Sequence, residues 1–145
     1  MFKHILVPTD GSELSVKAVT YGLQLAKMTG AKVTAVTVTT PWQSIALGET
    51  ALAIDPDEYE RRSKEYAEKT LAVVANEAKA AGVAFTGTIA TSPQPWEAII
   101  EAAQKAGCDL IVMASHGRRG LTGFLLGSET QKVLTHSKIP VLVYR

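Results

Sequence analysis

Two segments of this 145-residue chain concentrate the glycine and small polar residues that bind phosphate well. The first is PTDGS at residues 8–12, and the second is ASHGRRG at residues 114–120. Glycine lets backbone N–H groups approach a ligand closely, and successive N–H groups in a turn form an anion-binding concavity. These residue types therefore predict two loops that hold an anion through the backbone.

A third segment with related chemistry begins at Gly127-Ser128. Ser128 and Gln131 have the spacing of a capping box, which predicts Ser128 as the N-cap of a helix. A helix N-terminus presents unpaired N–H groups and a favourable dipole, so it attracts phosphate. Arg118 and Arg119 add positive charge to the same region. Each feature taken alone is also typical of an ordinary cap, turn or exposed surface pair.

The rest of the chain alternates between strand and helix patterns. Strands are predicted at residues 5–7, 33–38, 85–89, 110–113 and 141–144. The first helix is expected to bury a face made of Leu14, Ala18, Tyr21, Leu25 and Met28. Residues 39–54 show no period and are predicted to be a long loop.

The second long helix has a strong predicted start and stop. Asp55 can cap it, Pro56 suits its first turn, and Gly82 suits the left-handed position at its end. Its predicted buried stripe is Ala67, Leu71, Val74, Ala78 and Ala81. A third helix starts around Trp96 and ends at Gly107.

Strands that alternate with helices predict right-handed βαβ crossovers and a parallel sheet. We therefore expect an α/β protein with one domain over residues 1–145: an open, Rossmann-like, five-stranded sheet with helices on both faces. Strands 1 and 4 are the most apolar, as central strands are, whereas strand 3 alternates like an edge strand. The order 3-2-1-4-5 satisfies these patterns. Ligands bind such sheets at the carboxyl ends of the strands where the winding reverses, here between strands 1 and 4. The loops at residues 8–12 and 114–120 directly follow these two strands, so we expect the ligand between them.

The same segments resemble the universal stress protein family. The resemblance rests on MASHG at residues 113–117, nine residues, GS at residues 127–128 and PVLV at residues 140–143, together with ILVPTDGS at residues 5–12. ATP-binding members carry a glycine, two residues, a second glycine, nine residues, and glycine followed by Ser or Thr. Here Ala114 replaces the first of these glycines, which adds one methyl group beside the expected nucleotide.

The resemblance implies an ATP site, with Mg²⁺ or Mn²⁺ on the nucleotide and Asp10 as a possible contact to the metal. It implies nucleotide contacts from Pro8, Thr9, Asp10, Val38, Met113, Ala114, His116, Gly117, Arg118, Gly127, Ser128 and Glu129. Pro8, Thr9 and Asp10 would lie on the adenine and ribose side, and Val38 would pack on the base. The resemblance also implies a homodimer through the C-terminal strand, Val141–Tyr144.

Three functions remain open at this point. The first is an ATP-binding stress-response protein whose nucleotide occupancy biases a conformation or a partner contact. The second is a nucleotide-independent protective or interaction protein, which Ala114 favours. The third is a slow ATPase; a P-loop lysine motif is missing, and His116 is the one candidate base near the loops.

Composition and charge indicate a globular protein and argue against nucleic-acid and membrane partners. A formal net charge of +1, with 46% hydrophobic and 20% charged residues, is typical of a globular protein and less basic than most phosphate-contacting nucleic-acid binders. The single cysteine, Cys108, is expected to be a buried thiol. The apolar run at residues 5–7 is too short for a signal peptide or a membrane span, so we expect a cytoplasmic protein without membrane or nucleic-acid partners.

Overall fold

The computed structural model describes residues 1–45, 54–117 and 126–145. Its strands are β1 (His4–Pro8), β2 (Lys32–Thr39), β3 (Phe85–Thr91), β4 (Leu110–Ala114) and β5 (Val141–Tyr144). Its helices are α1 (Glu13–Thr29), α2 (Trp42–Ile45), α3 (Pro56–Ala81), α4 (Pro95–Ala106) and α5 (Ser128–His136).

The five strands form one parallel sheet in the order β3-β2-β1-β4-β5, which confirms the predicted topology. Every residue of β1 and β4 is buried, whereas β3 and β5 lie at the two edges and are partly exposed. Continuous burial explains why the two central strands carry apolar residues at successive positions.

Two apolar clusters lie on opposite faces of this sheet. On one face, alternate strand residues such as Ile5 and Val7 pack with Leu23 of α1 and Val74 of α3. On the other face, Leu6, Ile111 and Met113 pack with Ile99 of α4 and Val133 of α5. Since successive strand side chains point to opposite faces, each central strand contributes to both clusters.

The predicted start of α3 and the predicted glycine ends of α3 and α4 are confirmed. The carboxylate of Asp55 accepts the amide of Glu58 at 3.4 Å and caps α3, with Pro56 in the first turn. Gly30, Gly82 and Gly107 end α1, α3 and α4 with φ between 71° and 73°, a conformation that glycine adopts without strain.

The predicted buried face of α1 is wrong in part. The buried residues of this helix are Ser15, Ala18, Val19, Gly22, Leu23 and Ala26. Of the five predicted residues only Ala18 is buried, and Met28 is 85% exposed. Close approach to the sheet is the physical reason: a Cβ on Gly22 would lie 3.0 Å from Val7 Cγ2, so the face that contains Gly22 packs on the strand. Val19 and Leu23 on that face are buried, whereas Tyr21 and Met28 are exposed.

The stretch at residues 39–54, predicted to be one long loop, contains the short helix α2 at Trp42–Ile45. Residues 46–53 lie outside the described part of the chain. Cys108 is buried, and its burial raises the pKa of the thiol to about 11. None of the described helices is long and apolar enough to cross a bilayer; the cytoplasmic location stays a prediction.

Candidate functional site

A cleft of about 1340 Å³ opens at the carboxyl ends of the strands, where β1 pairs with β2 on one side and β4 on the other. This is the point at which the winding of the sheet reverses, the usual ligand position in open parallel sheets. The loops after β1 and β4, the start of α5 and one side of α3 form its walls.

The loop after β1 is held rigidly by its own polar groups. Asp10 Oδ1 accepts the amide of Ser12 at 2.9 Å, and Thr9 Oγ1 accepts the amide of Gly11 at 3.2 Å. The hydroxyl of Thr37, on β2, donates to the carbonyl of Thr9 at 2.9 Å. These bonds preorganise the turn at the edge of the cleft, so little conformational entropy remains to be lost when a ligand binds.

Tyr66 of α3 supports the same loop. Its hydroxyl donates to the carbonyl of Asp10 at 2.7 Å, across 56 positions of sequence. Gly11 lies directly beneath that hydroxyl with φ +79°, and a Cβ on Gly11 would stand 2.5 Å from it. Tyr66 was not predicted as a site residue, because no local sequence pattern links it to residue 10.

The loop after β4 is joined to the start of α5 by two hydrogen bonds. The amide of Gly127 donates to the carbonyl of Ser115 at 2.7 Å, and the hydroxyl of Thr130 donates to the carbonyl of Ala114 at 3.0 Å. A Cβ on Gly127 would come within 3.1 Å of His116 Cα, so a larger residue there would push the helix start away from the loop.

The two loops meet across the cleft at Gly117 and Asp10. A Cβ on Gly117 would lie 2.5 Å from Asp10 Oδ2, which means that only glycine allows this approach without a shift of the carboxylate. The backbone of residue 117 is exposed at this point and faces the cleft. The described part of this loop, which ends at Gly117, therefore forms an open cradle instead of a packed turn.

The predicted cap of α5 is wrong by one residue. Gly127 is the N-cap, Ser128 is the first helical residue, and the side-chain amide of Gln131 donates to the carbonyl of Leu126 at 2.7 Å. The first four N–H groups of a helix have no partner within the helix. Since Gly127 N–H is taken by Ser115, the amides of the three residues that follow are the ones left to bind a ligand.

The structure brings the predicted site residues together around this one cleft. Eleven of the twelve line it: Pro8, Thr9, Asp10, Val38, Met113, Ala114, His116, Gly117, Gly127, Ser128 and Glu129. The twelfth, Arg118, lies with Arg119 outside the described residues. Ala114 is buried and has no left-handed backbone, because no described residue other than glycine has a positive φ.

One wall of the cleft was missed entirely by sequence reasoning. Tyr59, Arg62, Ser63 and Tyr66 of α3 line it. They recur at spacings of three and four on the exposed side of a long helix, and that polar and aromatic stripe is the signal that would have found them. Arg62 is paired with Glu58 at 2.6 Å, and Tyr59 donates to the carbonyl of Thr40 at 2.7 Å.

Acidic groups in the cleft are too few and too dispersed to hold a metal ion by themselves. Within residues 1–45, 54–117 and 126–145, no three His, Cys, Asp or Glu side chains cluster as metal ligands would. Asp10 and Glu129 are the cleft-lining carboxylates of that set, and Glu129 already accepts the amide of Trp96 at 2.8 Å. A divalent ion here would need ligands from the bound molecule, as Mg²⁺ on a nucleotide has.

Comparison with known proteins gives one family over the full chain. A model described as the universal stress protein family matches residues 1–145. A universal stress protein of Thermus aquaticus is 35% identical over 146 residues, which cover 100% of both chains.

Two solved structures resemble the chain along nearly its whole length. Protein MJ0577 of Methanocaldococcus jannaschii superposes with a TM-score of 0.83 at 29% identity and covers 99% of this chain and 96% of its own. A universal stress protein in complex with cAMP gives a TM-score of 0.70 at 26% identity, with 99% and 97% covered.

Proposed function

Since the chain belongs to the universal stress protein family, we propose that it binds an adenine nucleotide, ATP, in the cleft at the carboxyl ends of β1 and β4. Nucleotide occupancy would then bias a conformation or a partner contact during a stress response. A relative with the same fold was solved in complex with cAMP, so an adenylate has been held on this architecture.

The observation that carries the proposal is the convergence of three anion-binding segments. The turn at Asp10, the glycine cradle at Gly117 and the first turn of α5 all line the same cleft. Two of the three are tied directly by the 2.7 Å bond between Gly127 and Ser115. Backbone amides in turns and at helix starts are the groups that bind phosphate oxygens, which makes a polyphosphate the chemistry that fits.

The other parts of the nucleotide would lie toward β1 and β2. Pro8, Thr9 and Asp10 would face the adenine and ribose, and Val38 is half-buried at the end of β2, where a base can pack on it. Met113 is buried beneath the cleft and forms its floor together with Ala114. Gly117, Gly127, Ser128 and Glu129 would surround the phosphates, and any Mg²⁺ or Mn²⁺ would arrive on them.

We expect ATP hydrolysis to be slow or absent. Phosphoryl transfer to water needs a group that orients or deprotonates the attacking water. His116, the candidate from the sequence, has its Nδ1 atom 3.2 Å from the hydroxyl of Ser115, which holds the ring beside its own loop. Binding without rapid turnover suits a protein that reports nucleotide level.

We further propose a homodimer through the edge strand β5. Ile111 N–H bonds Pro140 and Ser115 N–H bonds Tyr144, so the even-numbered residues of β5 face β4 and Val141 and Val143 turn their backbone groups outward. Pairing with the same strand of a second copy would satisfy both edges.

Val141→Pro tests this dimer. The substitution removes one outward N–H group and should shift the protein to monomer in light scattering, whereas Val141→Thr keeps that group and should leave the dimer intact. An unchanged dimer in the proline variant would contradict this pairing.

Calorimetric titration tests the nucleotide proposal. The natural protein should bind ATP, and Gly127→Ala should weaken binding about tenfold or more, because the added Cβ meets the backbone of His116. Gly87→Ala on β3 is the matched control: its Cβ would make only ordinary contacts of 3.5 Å, and it does not line the cleft. Absence of both heat and thermal shift at millimolar ATP would rule the proposal out.

A further inference from the structure

The N-terminus of α4 is capped by a side chain from α5. Glu129 Oε2 accepts the backbone amide of Trp96 at 2.8 Å, across 33 positions of sequence. The N-cap of α4, Gln94, makes no side-chain cap of its own. The bond is partly buried, and charge-assisted bonds of this kind are stronger than neutral ones.

The other residues at the start of α4 either have no N–H group or donate it to a partner near them in the sequence. Pro95 has no N–H, and the amides of Glu97 and Ala98 bond the carbonyl of Gln94 at 3.1 and 3.4 Å. The amide of Gln94 itself bonds the hydroxyl of Ser92 at 3.1 Å. Trp96 therefore carries the one first-turn amide that depends on another helix, and Glu129 is the residue that satisfies it.

The indole ring of the same tryptophan contacts the other end of α5. Trp96 stacks on His136 with ring centroids 4.4 Å apart and an interplanar angle of 29°. Residues 129 and 136 are seven apart, so they lie on the same side of α5, two turns from each other. Trp96 is thus held at both ends of α5, by its backbone at the start and by its ring at the end.

We infer that Glu129 is a positioning residue for the phosphate end of the cleft; this inference rests on the proposed ATP site. The carboxylate holds the first turn of α5 against α4, and that turn carries the amides of Ser128, Glu129 and Thr130, three residues that line the cleft. The bonds from Gly127 to Ser115 and from Thr130 to Ala114 hold the same turn on the β4 side. Together the three bonds fix the direction in which the amides point.

An opposing effect of the same carboxylate is its negative charge beside a polyphosphate. Lys132 Nζ lies 3.7 Å from Glu129 Oε1 and offsets part of that charge. If repulsion outweighed positioning, removing the carboxylate would strengthen ATP binding. Positioning predicts the reverse, so the sign of the change decides between the two.

The test compares ATP with adenosine, which lacks phosphate, by calorimetry on four variants. Glu129→Ala should weaken ATP about tenfold and leave adenosine within about twofold, because only phosphate contacts depend on the direction of the α5 amides. Glu129→Gln keeps an acceptor oxygen at the same reach and should stay within about threefold of the natural protein for ATP. Glu129→Asp keeps the charge but is one methylene shorter, and should lose affinity as Ala does. Glu97→Ala, in the first turn of α4, removes one acid elsewhere and should change nothing.

Each outcome is decisive. Three results would overturn the inference and leave the proposed function standing. The first is stronger ATP binding by Glu129→Ala, and the second is an equal loss of affinity for ATP and adenosine. The third is an Asp variant that binds ATP as the natural protein does while the Gln variant does not. Failure of the natural protein to bind ATP would overturn both. Should Glu129→Ala fail to fold, the Gln and Asp pair carries the test, and the amide signal of Trp96 in NMR reports whether each variant keeps the cap.

Discussion

The backbone amide of Gly127 donates a 2.7 Å hydrogen bond to the carbonyl of Ser115, and this contact places the start of α5 on the loop after β4. The hydroxyl of Thr130, buried in the first turn, adds a second bond to the carbonyl of Ala114. On its β4 side, the start of the helix is thus held by two bonds to the loop after β4, and its N-cap Gly127 makes no side-chain cap hydrogen bond.

Thr130→Val should lower both stability and ATP affinity. The substitution keeps the shape but leaves the Ala114 carbonyl without its donor, so we expect the free energy of unfolding to fall by about 1–3 kcal/mol. Chemical denaturation and calorimetry measure the two effects. Thr29→Val is the control, because that hydroxyl bonds within α1 and lies far from the cleft in the fold. Equal ATP affinity in Thr130→Val and the natural protein would contradict the role of this bond.

Gly11→Ala should destabilise the protein more than Gly30→Ala does. Both glycines have φ above +70°, so both variants bear the strain of a left-handed backbone, about 1–2 kcal/mol. Only at Gly11 does the new Cβ meet a side chain, the Tyr66 hydroxyl, whereas nothing lies within 4 Å at Gly30. Adding Tyr66→Phe should recover part of the loss in Gly11→Ala. Denaturant unfolding of the single and double variants measures the coupling, and strictly additive losses would mean that the hydroxyl does not limit residue 11.

Stability should fall as the pH drops below about 6.5, the ordinary pKa of histidine. Burial lowers the pKa of His4, and the nearby positive charge of Lys32 lowers it further, against an opposing effect of Asp109. Below the unfolded pKa, the unfolded chain therefore binds a proton that the folded chain resists, which favours unfolding. The melting temperature measured from pH 7.5 to 5.5 should drop less in His4→Gln than in the natural protein. His136→Gln, an exposed histidine, serves as the control; identical pH slopes in all three proteins would contradict the assignment.

Ala114→Gly should cost stability without a large gain in ATP affinity. Ala114 ends a buried strand without left-handed backbone, so the methyl group causes no strain and its loss costs about 0.5–1 kcal/mol. On β4 it shares a face with Leu110 and Val112, which pack toward α1 and α3. We expect ATP affinity within about threefold by calorimetry. A tenfold gain would instead indicate that the methyl obstructs the nucleotide and would favour a nucleotide-independent role for the natural chain.

The fold was predictable because its signals are local. Continuous apolar runs marked β1 and β4 as central strands, and the alternation in β3 marked an edge. Asp55 marked the start of α3, and Gly82 and Gly107 marked the ends of α3 and α4. Each of these patterns reflects the environment of consecutive residues, and together with the rule of right-handed crossovers they predicted the sheet order.

The errors arose where distant parts of the chain decide the local structure. Ser128 has the spacing of a cap, yet Gly127 takes that position, and its amide bonds Ser115 at the other end of the same β4–α5 connection. The buried face of α1 was expected around Tyr21 and Met28, but the close approach of Gly22 to Val7 turns Val19 and Leu23 inward instead. The contact of Tyr66 with the loop after β1 depends on how α3 packs beside that loop, which no local sequence pattern indicates.

Amide NMR of the 145-residue chain under ATP titration tests the central claim most directly. If ATP is held by the two loops and the start of α5, the largest shifts should fall on Gly117, Ser128 and Glu129 and on the turn at Asp10. The helix-end glycines Gly30 and Gly82 should stay unchanged. Saturating ATP that shifts none of these cleft amides, or moves mainly residues elsewhere, would contradict the account.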